Sequence, residues 1–329
     1  MPADRHFRTM HATGEEGHAT GEEGAMKGVF IDASDALGDV YRKVRRPGDP
    51  PVTLYEEDHI PAEALPRLLD GAEFVIDDHT AMPTEVMRQC RGLRHVIFLG
   101  TGARSYMHPE ELAAIGIEVH IIKGYGDTAV AEHTIALMWA AARGLARMDR
   151  LIRQGQWLRT EGMELTGKTI GLIGLGGIGA EVARIAAGSG MRVLAWNRTE
   201  KPAAHARIVP LDTLLAESHV VSLHLLLTDE TRGFLDRARL AKLRPGAILV
   251  NTARAALVDE DAMVAALEDG RIAHAALDVF ATEPLPTGHR LTRLENVTLS
   301  AHSGFRTPEA SEKLIRSGLD IACRISARS

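Results

Sequence analysis

The run "KTIGLIGLGGIGAEVARIAAGSG" constrains this chain more than any other stretch, because an apolar segment meets a glycine cluster and then an amphipathic helix pattern. Gly174, Gly176 and Gly179 stand at the G-x-G-x-x-G spacing directly after residues 169–173. The first glycine permits a tight turn, the second lets another group approach the backbone, and the third lets the helix pack on the strand. Such a turn presents backbone N–H groups and a positive helix end, which suit phosphate. Gly174, Gly176, Gly177, Ile178 and Gly179 are therefore the expected cradle of a dinucleotide pyrophosphate.

The flanking sequence repeats a strand–helix alternation. "GVFIDA", "VTLYE", "FVIDD", "RHVIFLG" and "EVHIIKG" read as strands, with "AEALPRLLDGA", "PTEVMRQCRGL" and "PEELAAIG" as helices between them. A second series follows: "RVLAWN", "VVSLHLLL", "AILVNTA", "IAHAALDVF" and "NVTLSAH" as strands, with "LDTLLAES", "RARLAKLRPG" and "EDAMVAALEDG" as helices. Strands without polar alternation imply parallel sheets covered on both faces. The fold class is α/β, with two doubly wound, Rossmann-like parallel sheets joined by long helices.

"DTAVAEHTIALMWAAARGL" is apolar around most of its circumference and should be buried, in a core, a domain crossing or a subunit contact; Asp127 or Thr128 is its expected cap. The last helix, "PEASEKLIRSGLDIACRISA", should return to the first unit. The organisation expected is a disordered tail at 1–24, a substrate domain at 25–123 plus 303–329, and a nucleotide-binding domain at 124–302.

The tail holds the tandem repeat "HATGEEG", too polar and glycine-rich to order itself. It has no apolar core like that of a secretory signal, and no run is long enough for a membrane span, so a cytoplasmic protein is expected. The formal charge of −6 gives no support to nucleic acid or membrane surfaces as partners. Two cysteines, Cys90 and Cys323, make no disulfide framework and no metal spacing, and no metal is expected.

The strand after the glycine turn should end at the residues that read the adenosine ribose. A NAD site usually has an acid there; this chain has Asn197, Arg198 and Thr199. An arginine would attract a 2′-phosphate that an acid would repel, so NADP(H) is favoured, with NAD(H) possible.

Further along, polar residues stand at the carboxyl ends of predicted strands: Arg254 in "NTARAALVDE", Asp278 and Glu283 in "LDVFATEPL", and His302 in "LSAHSG". A guanidinium can grip a carboxylate and polarise the neighbouring carbonyl. An imidazole can give a proton to a new alkoxide, and a paired carboxylate keeps it charged. Together behind a nucleotide turn, they suit reduction of a small 2-keto acid.

With "AVAEHTIAL", "GLIGLGGIG", "VSLHLLLTDETRGF", "NTARAALVDEDAMVAAL", "LDVFATEPLP" and "LSAHSG" in this order, the chain resembles the D-isomer-specific 2-hydroxyacid dehydrogenase family. The resemblance implies His302 as acid/base, Glu283 as its partner and Arg254 as the substrate-binding arginine. It puts Asp278 near the nicotinamide carboxamide and Leu225, Thr252 and Ala253 along the cofactor. It also implies Thr80 reaching the cofactor from the other domain, and Gly100, Thr101 and Gly102 meeting the substrate carboxylate. It implies a homodimer formed through the nucleotide-binding domain, and a 2-keto acid reductase of the glyoxylate or hydroxypyruvate type. A D-3-phosphoglycerate dehydrogenase-like enzyme and a dinucleotide-sensing corepressor are the alternatives it offers. The chain departs from the family pattern at Ala255 and Ala256 beside Arg254, at Ala301, at Leu226 and at Arg104, whose charge could favour a phosphate.

Overall fold

The computed structural model describes residues 9–10, 26–199 and 202–328. The chain divides into two compact units, Met1–Tyr125 with Thr307–Ser329, and Gly126–Arg306.

The first unit contains β1 (Thr9–Met10), β2 (Gly28–Phe30), β3 (Val52–Tyr55), β4 (Phe74–Asp77), β5 (His95–Phe98) and β6 (Glu118–Ile121). Their order is β1-β3-β2-β4-β5-β6, parallel throughout except for the antiparallel β1. The parallel part has the flavodoxin-like order, which reverses direction between β2 and β4. The tail expected over 1–24 lies outside the described residues, apart from Thr9 and Met10, which pair with Tyr55 and Leu54.

All of β4 is buried because both faces are covered. Val75 packs with Leu65, Leu69 and Met87 on one side. Phe74 and Ile76 pack with Ile97, Leu314, Ile315 and Leu319 on the other. The last three belong to helix Pro308–Ser326, which starts at Thr307, whose hydroxyl accepts from the Ala310 N–H. Arg316 of that helix donates to both carboxylate oxygens of Asp49, at 2.7 and 2.8 Å.

The second unit contains β7 (Thr169–Ile173), β8 (Arg192–Trp196), β9 (Arg207–Ile208), β10 (Val220–Leu223), β11 (Ala247–Asn251), β12 (Ile272–Leu277) and β13 (Val297–Leu299). The order β13-β12-β11-β10-β7-β8-β9 is wholly parallel, the dinucleotide-binding order with one strand added. Its direction reverses between β7 and β10. The apolar helix Asp127–Arg143 lies inside this unit: Ala131, Ile135, Met138 and Ala142 pack with Ile170, Val182, Ala186 and Val250. Each large side chain buried there contributes about 1.5–3 kcal/mol. Its cap position is Gly126, without a side-chain bond, where Asp127 or Thr128 was expected.

Three expected helices shrink to single turns, Leu65–Leu68, Thr84–Met87 and Arg237–Leu240. Soon after each, a glycine with positive φ redirects the chain, at Gly71, Gly92 and Gly246. Helices Asp35–Val44 and Leu145–Arg153, and strands β1 and β9, are additional to the expected elements.

Candidate active site

The glycine turn is shaped by what a side chain would collide with. A Cβ on Gly174, at φ +103°, would sit 2.6 Å from the His224 carbonyl oxygen, and one on Gly179 would sit 2.3 Å from the Gly174 carbonyl oxygen. At Gly176 a Cβ would meet nothing within 4 Å, which is open space beside the backbone. Helix Gly177–Gly188 begins there, and among the described residues the N–H groups of Gly177 and Ile178 have no acceptor. An open concavity with unfilled donors at a helix N-terminus fits a pyrophosphate.

At the end of β8, the Asn197 side chain serves the protein: Oδ1 accepts from the Leu175 N–H at 3.4 Å, and Nδ2 donates to the Thr199 carbonyl at 2.7 Å. Arg198 pairs with Glu230 at 2.9 Å, with both side chains solvated. Leu225 is half-buried against the core, just beyond β10.

The carboxyl ends of β11, β12 and β13 carry the remaining groups. Asn251 ends β11 and shapes the next turn, accepting from the Ala253 N–H at 3.0 Å and donating to the Arg254 carbonyl at 3.0 Å. Thr252 is buried, its hydroxyl 2.8 Å from that of Thr134. Arg254 is half-buried and donates to the Ala253 carbonyl. Among the described residues, no carboxylate pairs with it, so its charge is uncompensated. Arg254 and His302 follow β11 and β13, which flank β12, so their backbones leave the sheet about 10 Å apart.

His302 has φ +48°, a left-handed conformation costly for a side chain of this size. Asp278, just after β12, holds it there. The Asp278 carbonyl accepts from the His302 N–H at 2.8 Å. Its carboxylate accepts from Ser300 Oγ at 2.6 Å, from the Ser303 N–H at 3.0 Å and from the Gly304 N–H at 2.9 Å. His133 Nε2 lies 3.3 Å away. Burial pushes the Asp278 carboxyl up, but hydrogen bonds from His133, Ser300, Ser303 and Gly304 outweigh it and bring it down to about 2. Glu283 then orients the imidazole: Oε1 accepts from the Phe280 N–H at 2.8 Å, and Oε2 accepts from His302 Nδ1 at 2.7 Å. The opposite nitrogen, Nε2, is left for a substrate oxygen. His133, Ser300 and Asn251 were missed from sequence; a histidine in an otherwise apolar helix and an Asn closing an apolar strand were the available signals.

In the first unit the reversal between β2 and β4 is filled by acids. Asp32, buried at φ +52°, accepts from the N–H groups of Asp78 and His79 and from Thr80 Oγ1 at 2.7 Å. Thr80 is buried, and its N–H donates to Asp77. Among the described residues, the other Asp77 oxygen is buried without a hydrogen-bond partner. Burial, and then the Asp32 charge, push the Asp77 carboxyl well above its ordinary range. Gly100, at φ +151°, turns the chain after β5, and among the described residues the N–H groups of Thr101 and Gly102 have no acceptor. Arg104 is paired with Glu110 on the surface.

The family described as "D-isomer specific 2-hydroxyacid dehydrogenase, NAD binding domain" matches residues 135–304. The chain is 40% identical to a glyoxylate reductase of Aeropyrum pernix over 68% of its own length and 71% of that protein. It is 34% identical to a hydroxypyruvate reductase of Thermotoga maritima, over 78% and 86%. The apo-structure of D-lactate dehydrogenase from Escherichia coli superimposes with a TM-score of 0.83 at 26% identity, covering 92% of this chain and 98% of that one.

Proposed function

Because the chain belongs to the D-isomer-specific 2-hydroxyacid dehydrogenase family, as a nicotinamide-dependent oxidoreductase, we propose that it reduces small 2-keto acids of the glyoxylate or hydroxypyruvate type, with NADP(H) preferred. The observation that carries this reading is the His302–Glu283 pair at 2.7 Å, set two strands from an arginine without a carboxylate partner.

The bound nicotinamide supplies the hydride. Gly176, Gly177 and Ile178 would hold the pyrophosphate, and Leu225, Thr252 and Ala253 would line the path toward the ring. Arg254 grips the substrate carboxylate and draws charge from the adjacent carbonyl. His302 Nε2 donates a proton to the oxygen as it gains charge, and Glu283 stabilises the imidazolium and fixes its orientation. Asp278 acts through the 300–304 loop that it holds. The free N–H groups of Thr101 and Gly102 suit a carboxylate. Arg104 gives little to a phosphorylated substrate, because Glu110 already pairs with it.

NADP(H) preference rests on Arg198 with no acid at the end of β8. The Arg198–Glu230 pair is solvated and worth at most about 1 kcal/mol, so a doubly charged 2′-phosphate would displace it. Cytoplasm is the compartment this reading implies, and among the described residues no helix is long and apolar enough to cross a membrane. A homodimer through the second unit accords with its exposed Leu145, Ile152, Trp157 and Leu158; sedimentation as a monomer would remove it.

The test is oxidation of NADPH and NADH with a panel of 2-keto acids, repeated for Arg198→Ala. The expected outcome is turnover with glyoxylate or hydroxypyruvate, and a loss in the variant of about tenfold in kcat/KM for NADPH with little change for NADH. Tight cofactor binding without turnover on any acid would instead make the chain a nucleotide sensor.

A further inference from the structure

We propose that His95, Glu118 and His120 form a binding site for one divalent transition cation, zinc being the natural occupant, at the edge of the first unit's sheet. The site begins with strand register. In the parallel pair β5–β6, His95 faces Glu118 and Ile97 faces His120, so all three side chains leave the same face of the sheet. Further along, that face carries Ile97, Leu99 and Ile122, packed with Leu314, Ile315 and Leu319 of helix Pro308–Ser326. The three polar residues stand at its outer end, on the edge strand β6 and its neighbour.

The donor atoms converge. His95 Nδ1 lies 3.1 Å from His120 Nε2, and Glu118 Oε2 lies 3.6 Å from the first and 3.7 Å from the second. A triangle with those sides has its corners about 2.0 Å from its in-plane centre, and a tetrahedral zinc would sit slightly out of that plane, its bonds reached once the exposed Glu118 carboxylate closes in by a few tenths of an ångström. In the absence of an ion the two imidazole nitrogens are hydrogen-bonded to each other, and a cation would replace that bond by moving the shared proton to the donor's other ring nitrogen. Two nitrogens and one oxygen make a borderline donor set suited to zinc, with water completing the tetrahedron beside the exposed Glu118.

Protonation favours the ion as well. Binding needs both imidazoles neutral. Burial lowers both histidines, offset by Glu118 and, for His95, by Glu73, while Arg94 pushes His95 and Arg324 pushes His120 further down. The ion would tie the edge strand to β5 through side chains and fasten the rim of the sheet.

The experiment uses the full chain with His6, His11 and His18 replaced by alanine, which removes the imidazoles of the N-terminal segment. After stripping with a chelator, zinc is titrated against a chromophoric competitor, and cobalt(II) is added separately for its visible spectrum. One zinc per chain is expected, with micromolar or tighter affinity, and an intense tetrahedral-type cobalt spectrum without a thiolate band. His95→Ala and His120→Ala should each weaken zinc by more than about 100-fold, while a far-ultraviolet circular dichroism spectrum and a metal-free Tm like the parent's show that both variants fold. Glu118→Ala, at a solvated side chain that does not threaten folding, should weaken it by about tenfold or more. No zinc uptake by the parent, or uptake unchanged in Glu118→Ala and either histidine variant, overturns the site.

Discussion

Both units place a point of reversed strand order at the carboxyl edge of a parallel sheet, and they fill it with opposite chemistry. In the second unit, the turn after β7 leaves open space at Gly176 and unfilled N–H groups at Gly177 and Ile178. In the first, the turn after β2 carries Asp32, whose carboxylate takes the N–H groups of Asp78 and His79 and the Thr80 hydroxyl. The second unit's turn keeps N–H donors open to a foreign anion, although the Asp127 carboxylate abuts its helix at Gly177, whereas the first unit's turn spends its donors on an anion of its own. Topology therefore nominates the location of a site, and residue type decides whether a ligand is needed there.

The largest effect that would sharpen this contrast is at the β13 end of the second unit. His302→Ala should lower kcat by about 10³-fold or more, and Arg254→Ala should lower kcat/KM by a similar factor with the larger share in KM. Circular dichroism should be unchanged in both. Steady-state rates near those of the parent chain would break the assignment.

Next comes the crevice itself. Gly176 has ordinary φ −77° and room for a side chain, so Gly176→Val should fold normally. The added methyls would occupy the phosphate's place, raising the Kd for NADPH by about 100-fold in a fluorescence titration. A variant that binds NADPH normally would show that the pyrophosphate lies elsewhere.

The smallest effect tests the first unit. Burial and Asp32 raise the Asp77 carboxyl, so folding binds protons at that pair. Its cost is absent below the ordinary pKa of 3.8 and grows as pH rises from there toward the raised folded value. Asp77→Asn imitates the protonated form. It should raise Tm by a few degrees at pH 8, with the gain shrinking toward zero as pH falls to about 4. A lower Tm for the variant at pH 8 would mean that the second Asp77 oxygen is satisfied as a carboxylate.

How far the chain could be read in advance depended on whether the information was local. Gly174, Gly176 and Gly179 follow a buried strand immediately, so their placement was legible. The interior strands, with all residues of β7, β10 and β11 buried, were legible as apolar runs. "VVSLHLLL" read as one long strand, yet β10 stops at Leu223. The Thr231 hydroxyl accepts from the Thr228 N–H and donates to the Leu226 carbonyl, turning the chain off the sheet and leaving Leu226 exposed. Helix Leu145–Arg153 has Leu145, Met148, Leu151 and Ile152 at helical spacing and went unread because Gly144, at φ +62°, cuts it from the helix before it. His133 and Asp278 are remote in sequence and meet only through the fold. His95 and His120 are joined in the same way, by strand register.

The return of helix Pro308–Ser326 to the first unit affects how the molecule is made. The second unit is one uninterrupted stretch and has every strand it needs once Arg306 has left the ribosome. The first unit's sheet is translated before the second unit, yet Ile76 and Ile97 lack their covering Leu314, Ile315 and Leu319 until after the second unit has been made. Of the two units, the one translated first is thus the one completed second, and its apolar sheet face is what a chaperone would shield in the interval.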